Sequence, residues 1–253
     1  MAVPIFPFFA FDNRFADAVP VASSTAVGGA AINLTDFRPY TSWTPTALPA
    51  TVTVDCGTAK SADKLSVFNH NLFTKGNTIE VRGSTDNFAT SNVLVHSYAP
   101  PSDNAFVRDF AAQSFRYWRI NILNGTAPTL TIVALGTGFE FPTNVPYGIS
   151  PLDRDVVAQT NISERGLPLG RVILFERWAE KLTFNHVDQT WLRATFLPAW
   201  KAHLRGKPFL FGFDLTNFPN EIYLVQTDGK MDAPFPLPSK ANLSINISGV
   251  ALA

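Results

Sequence analysis

Three short segments between residues 51 and 88 alternate apolar and polar side chains with a period of two. In the first, Val52, Val54 and Cys56 share one face, and threonine and aspartate share the other. The segments 65–69 and 78–82 repeat the alternation, and Gly-Ser-Thr-Asp-Asn at 83–87 ends the third with turn-forming residues. A period of two is typical of strands with one buried face, so this region predicts β-structure.

Four phrases occur here in a fixed order: Val-Asp-Cys-Gly at 54–57, Ser-Thr-Asp-Asn-Phe at 84–88, Arg-Tyr-Trp-Arg-Ile at 116–120, and a strand ending in glycine at 130–136. In this order and spacing they resemble the discoidin-like, or galactose-binding-like, jelly roll over residues 36–141. The resemblance implies a β-sandwich that presents loops to a ligand, most often a carbohydrate, and it does not imply catalysis. It also allows a calcium ion in the loops, whose ligands the sequence does not identify.

Five residues in predicted loops are candidates for binding a glycan or a protein partner. Trp43 has two interpretations, a part of the sandwich wall or a platform on which a sugar ring stacks. His70, Asn71 and Phe73 belong to a polar loop, which either binds hydroxyl groups or is a solvated turn whose amides bond their own backbone. Tyr98 begins a second loop, which Pro-Pro at 100–101 would hold rigid.

The whole sequence divides into four predicted segments. Residues 1–35 are an entry segment, either an arm that docks phenylalanines on a neighbour or a first edge strand, and the jelly roll follows at 36–141. Prolines and a glycine predict a linker at 142–152. Residues 153–253 predict a second β-sandwich flanked by one amphipathic helix, which begins after Asp188 as N-cap, ends before Gly206, and is kinked at Pro198. The fold class is therefore mainly β: a jelly-roll sandwich, then a helix-flanked sandwich.

The second half carries a further resemblance. The helix is followed by Gly-Lys-Pro-Phe-Leu-Phe at 206–211, Glu-Ile-Tyr-Leu-Val at 221–225, and a last strand ending Ser-Gly-Val at 248–250. This order resembles the tail-tube and distal-tail proteins of long-tailed bacteriophages. The resemblance implies a subunit that joins its sheet to its own copies in a ring, contacts other tail, baseplate or fibre proteins, and is located in the virion tail after assembly in the bacterial cytoplasm. In many distal-tail proteins the two domains come in the reverse order.

Composition narrows the partners further. The 253 residues include 46% hydrophobic and 16% charged residues, and the formal net charge is zero. This balance is typical of a packed globular protein and gives no preference for nucleic acid. The single cysteine, Cys56, is either a buried small side chain or a reactive thiol. The apolar N-terminus lacks a basic start and contains prolines, so we expect neither a signal peptide nor membrane insertion.

No catalytic motif occurs in the sequence. The four histidines are scattered, and Asp153 and Asp155 flank Arg154 as a local ion-pair cluster would. We therefore predict a protein that is not an enzyme, with no catalytic residue, cofactor or metal ligand.

Two functions follow from these patterns. The first is a structural component of a bacteriophage tail tip or baseplate, assembled into a ring, whose carbohydrate-binding-like domain attaches fibres or contacts the host surface. The alternative is a lectin-type carbohydrate-binding module without a role in a virion.

Overall fold

The computed structural model describes residues 7–143 and 155–250. The fold is mainly β, with two sheets and one helical segment of 16 residues, so the fold class predicted from the sequence is confirmed. The chain divides into two compact units. Unit 1 comprises the described residues up to Glu140 together with Phe211–Ile222, and unit 2 comprises Phe141–Leu210 and the residues from Tyr223 onward.

Unit 1 contains eight strands and two single helical turns, at Arg14–Ala16 and Ala31–Thr35. The strands are β1 (Phe8–Ala10), β2 (Val21–Ala22), β3 (Ala50–His70), β4 (Thr78–Ser84), β5 (Val93–Tyr98), β6 (Phe106–Leu123), β7 (Leu130–Gly136) and β8 (Phe139–Glu140). In the described part of the entry segment, β1 pairs with β8, and both Phe8 and Phe9 are buried. The entry segment therefore packs on its own chain where it is described.

The long antiparallel strands β3 and β6 run through both layers of a sandwich. The first part of β3, residues 50–55, pairs with the end of β6, which also pairs with β4, and β5 follows. The second part, residues 60–67, pairs with the beginning of β6 on one side and with β7 on the other. The register shifts between Asp55 and Lys60, and a bulge of this kind bends a strand.

Side chains from both layers form one core. Its members are alternating apolar residues, which is why the period of two predicted these strands; they include Val52, Val54, Leu65, Val67, Ile79, Val81, Phe106, Trp118, Ile120, Leu130 and Val133. Unit 1 is therefore a β-sandwich whose inner faces meet in this core.

Unit 2 contains β9 (Asp155–Ile162), β10 (Pro168–Asp188), most of β12 (Ile222–Asp232), β13 (Lys240–Val250) and the helix α1 at residues 189–204. The strand β11 (Phe209–Gly212) lies at the division between the units. The strands of unit 2 are antiparallel, in the order β12-β13-β10-β9. Within the described residues, no helix is long and apolar enough to cross a membrane.

The helix α1 begins as the sequence predicts. The Asp188 carboxylate accepts hydrogen bonds from the backbone N–H groups of Thr190 (2.8 Å) and Trp191 (3.2 Å). Phe196, Trp200 and Leu204 recur every four residues and are buried. Around Pro198 the helix has wide turns, with the N–H of Leu197 bonded to the carbonyl of Leu192 and that of Arg205 to Trp200. These i to i+5 bonds accommodate a proline in mid-helix.

A two-stranded ribbon is the most exposed part of unit 2. We call "the ribbon" the strand β9, the turn at 163–167 and residues 168–177 of β10; β13 pairs with β10 only from Trp178 onward. Ile162, Leu167, Leu169 and each of residues 172–175 are more than half exposed. The predicted strands at 156–162 and 171–177 thus exist, but they are not covered by the described chain.

The predicted linker at 142–152 lies almost wholly outside the described residues, which end at 143 and resume at 155.

Candidate functional site

A polar cleft of about 330 Å³ opens where the end of β3 meets two segments distant in sequence. We call it the Tyr40 cleft. Its lining residues are Pro39, Tyr40, Thr41, Ser42, Asn69, His70, Asn71, Thr129 and Thr131. The segment before Trp43 and the start of β7 are joined by two backbone hydrogen bonds between Trp43 and Leu130, of 2.8 and 2.9 Å. This pairing places the lining segments side by side.

Tyr40 supplies an exposed aromatic ring, with 79% of its surface accessible. Around it, three threonines, one serine and two asparagines provide hydroxyl and amide groups. Hydroxyls and amides both donate and accept hydrogen bonds, while an aromatic face suits an apolar C–H surface. The cleft can therefore contact a ligand that carries both hydroxyl groups and C–H faces.

The cleft is already held in shape by bonds within the chain. Asn69, in the left-handed region at φ 56°, donates from Nδ2 to the carbonyl of Pro39 at 3.1 Å. The Asn71 side-chain oxygen accepts from the backbone N–H of Thr129 at 2.7 Å. The Asp36 carboxylate accepts from the hydroxyl of Thr41 at 2.8 Å. Segments fixed in this way lose less entropy when a ligand binds.

His70 lines the cleft, but its ring nitrogens are bonded within the chain. Nδ1 accepts from the backbone N–H of Leu72 at 3.3 Å, and Nε2 lies 2.9 Å from the carbonyl oxygen of Asn104. A neutral ring with the proton on Nε2 satisfies both contacts, and burial lowers the pKa of His70, which favours this neutral form. The expectation that His70 binds ligand hydroxyls is therefore corrected. Each nitrogen of a neutral imidazole makes one hydrogen bond, and both are used within the chain, whereas the amides and hydroxyls of the cleft keep further donor or acceptor capacity.

The predicted loop after Tyr98 lies next to the predicted loop that contains Phe73, because hydrogen bonds to Asp103 join the two. The Asp103 carboxylate accepts from the backbone N–H groups of Phe73 (2.9 Å) and Thr74 (3.1 Å) and from the hydroxyl of Thr74. Phe73 is 54% exposed but does not line the cleft. The hydroxyl of Tyr98 accepts from Arg108, whose guanidinium also covers the tyrosine ring at 4.0 Å, so Tyr98 is engaged within the sandwich.

Trp43 is fully buried, so the interpretation as a stacking platform is contradicted and the wall interpretation fits the structure. Its indole N–H donates to the carbonyl of Ser24 (3.1 Å) and the hydroxyl of Thr25 (3.2 Å). The indole needs this partner because its N–H would otherwise be buried and unpaired.

Of the five predicted residues, the cleft contains only His70 and Asn71, and Tyr40 was not among those predicted. Tyr40 and Trp43 lie in the same proline-containing segment of the sequence. The sequence therefore pointed to this segment, but it did not show which of the two aromatic residues is exposed. That choice depends on the pairing of Trp43 with Leu130, which is remote in sequence.

Among residues 7–143 and 155–250, no group of three or more His, Cys, Asp or Glu side chains is arranged to hold a metal ion.

No protein-family model matches the chain, and no curated protein sequence matches it. Several solved structures are similar. CpGH89CBM32-5 from Clostridium perfringens, in complex with GalNAc-β-1,3-galactose, is 16% identical, with 50% of this chain and 99% of that chain covered and a TM-score of 0.43.

The family 32 carbohydrate-binding module of C. perfringens NanJ, in complex with galactose, is 14% identical over 51% of this chain and 98% of the module, with a TM-score of 0.42. A chitosan-binding module of a chitosanase/glucanase from Paenibacillus sp. IK-5 is 17% identical over 49% and 97%, with a TM-score of 0.41. Likeness of this degree does not identify a ligand.

Proposed function

We propose that unit 1 binds carbohydrate through the Tyr40 cleft. The observation that carries the proposal is the exposed Tyr40 ring beside hydroxyl and amide groups that the chain already holds in place. A sugar ring presents the same two surfaces, C–H faces and hydroxyl groups, to a protein.

The lining also indicates the class of sugar. None of the nine lining residues is an acid, a lysine or an arginine, and the lowered pKa of His70 favours its neutral form. An acidic sugar would find no cation there, so a neutral glycan is the better ligand. A volume of about 330 Å³ is at the small end for a small-molecule site, which suits one sugar ring or a chain end.

The same lining argues for binding without hydrolysis. Most glycoside hydrolases use a pair of carboxylates, and no carboxylate lines the cleft. One exposed ring and a few hydrogen bonds correspond to a dissociation constant of about 0.1–1 mM, or roughly 4–5.5 kcal/mol.

Binding to a panel of neutral glycans, followed by titration calorimetry on any that bind, tests this proposal. Tyr40→Ala is expected to weaken binding at least tenfold, whereas Tyr40→Phe keeps the ring and most of the affinity. Phe73→Ala is the matched control, because Phe73 is an exposed aromatic outside the cleft. The proposal fails if Tyr40→Ala binds as the wild type does, or if no neutral glycan binds at millimolar concentration.

A second candidate is a structural role in a bacteriophage tail tip or baseplate. We infer it from the sequence pattern of the C-terminal half, and the exposed apolar ribbon favours it because such a surface suits a subunit covered by neighbours. In this role the protein forms a ring in the virion tail, and unit 1 contacts a fibre protein or a host-surface glycan. Electron microscopy of the concentrated protein tests it: rings of uniform diameter are expected, and a field without ordered particles counts against it.

A further inference from the structure

The ribbon has the sequence of a strand that is buried on both faces. Residues 172–175 are Val-Ile-Leu-Phe, four apolar side chains in succession. Val172 and Ile173 follow the alternation of a strand and point to opposite faces, and the pairing register shifts between Ile173 and Phe175. Continuous apolar runs are typical of strands covered on both sides. In this structure all four side chains are more than half exposed, so both faces lack the cover that their sequence calls for.

We propose that the ribbon is the surface through which copies of this chain associate, with the ribbon of one copy packed against the ribbon of a second. This inference is independent of carbohydrate binding, because the ribbon belongs to unit 2 and the Tyr40 cleft belongs to unit 1.

The size of the surface suits a stable contact. Seven ribbon side chains are between 54% and 71% exposed. At about 100 Å² each they present roughly 700 Å² of apolar surface, divided between the two faces of the ribbon. A copy with a neighbour on each face would bury about as much surface as one partner does in a standard protein–protein interface.

The charges of the ribbon favour a second copy over a protein of different charge. Three acids, Asp155, Glu164 and Glu176, are matched by Arg165, Arg171 and Arg177. None of the six forms an ion pair with another described residue. Two such ribbons carry no net charge and do not repel each other, whereas a strongly charged partner would leave half of these charges unmatched.

The edges and faces of the ribbon also bear on the number of copies. The strand β9 is the last strand of its sheet, and it contains no proline that would block pairing with another strand. Because both faces of the ribbon are apolar, a neighbour can pack on each side. Association then need not stop at two copies, and we expect a closed ring because most soluble oligomers have closed symmetry.

The solution mass of the full chain, measured by light scattering over a concentration series, tests the proposal. The wild type is expected to exceed the monomer mass of 27.7 kDa by a whole-number factor. The double variant Val172→Thr/Leu174→Thr removes two apolar side chains from the ribbon and keeps residues that favour strands. It is expected to have the monomer mass, with an unchanged circular dichroism spectrum.

The matched control is Val93→Thr/Leu94→Thr, the same two changes on β5, where both residues are also exposed. This control is expected to associate as the wild type does. Mixing two differently tagged versions and capturing one tag shows directly that the partner is a second copy. A wild type that stays monomeric at its highest soluble concentration, or a ribbon variant that associates normally, would overturn the proposal. Glycan binding by the ribbon variant stays normal in either case, so the two proposals fail separately.

Discussion

His70 illustrates how a buried polar side chain makes stability depend on pH. Its ring packs edge-on against Phe106, with the ring centres 5.1 Å apart, and both nitrogens have partners in the chain. Adding a proton would turn Nδ1 into a donor that faces the N–H of Leu72.

We therefore expect the free energy of unfolding to fall as the pH drops below about 6.5, the ordinary value for histidine. The sign follows because the folded protein, with its lowered His70 pKa, binds fewer protons in this range than the unfolded chain. Each unit of lowering corresponds to about 1.4 kcal/mol.

Thermal unfolding between pH 8 and pH 5.5 measures this effect. His70→Gln is expected to reduce the slope without removing it, since burial also lowers the pKa of His96 and of His203. Equal slopes in the wild type and His70→Gln would contradict the assignment.

At the scale of single residues, the sequence singled out the segment that contains Tyr40 and Trp43, but it did not show which of the two side chains faces outward. Trp43 and Tyr40 are three positions apart, and both are aromatic residues in a proline-containing segment. The burial of one and the exposure of the other follow from a strand pairing with Leu130, which local pattern does not contain.

The turn at Gly125, between β6 and β7, is fixed by its close contact with the main chain of Lys75. Gly125 has φ 65°, and a Cβ added there would lie 1.9 Å from the carbonyl oxygen of Lys75. The same carbonyl accepts from the N–H of Thr126 at 2.9 Å. Both the conformation and the space therefore require glycine.

Gly125→Ala is expected to lower the free energy of unfolding by about 2–4 kcal/mol, because it combines backbone strain with a clash against main chain. The control is Gly57→Ala: Gly57 has φ 73° but nothing within 4 Å of the added Cβ. It should cost only about 1 kcal/mol. Urea unfolding curves give both values, and similar losses would show that the contact with Lys75 is unimportant.

Alternation and capping residues predicted that these strands and the helix exist better than they predicted where each begins and ends. The sequence predicts separate strands at 51–57 and 65–69, whereas the structure has one strand, β3, through both. Pairing with β6 stops at Asp55 and resumes at Lys60. At this interruption the Asp55 carboxylate accepts from the N–H of Gly57 at 2.8 Å and from Arg116 at 2.8 Å. The N-cap of α1 is local in sequence and was predicted, whereas the wide turns around Pro198 were not.

For the whole molecule, charge balance and the apolar ribbon together predict how association responds to solvent. A contact made by apolar side chains with balanced charges should persist in 1 M NaCl and weaken on cooling from 25 to 5 °C. Light scattering under these conditions checks the expectation. A mass that falls with salt instead would indicate a contact held by ion pairs.

Composition predicted a packed globular protein and alternation predicted β-structure, but neither showed where apolar surface would remain open. Strand patterns at 156–162 and 171–177 are the same whether a neighbour covers them or water does. Whether a neighbouring chain covers a strand depends on contacts between chains, which the sequence of one chain does not show.

The strands shared between the layers of unit 1 have a consequence for how it folds. Paired residues of β3 and β6 are 39 to 72 positions apart in the chain, and the same two strands serve both layers. Neither layer can therefore be completed first and wait for the other. Long loops must close before either gains its hydrogen bonds, so we expect unit 1 to fold slowly and in a single step, with both layers forming together.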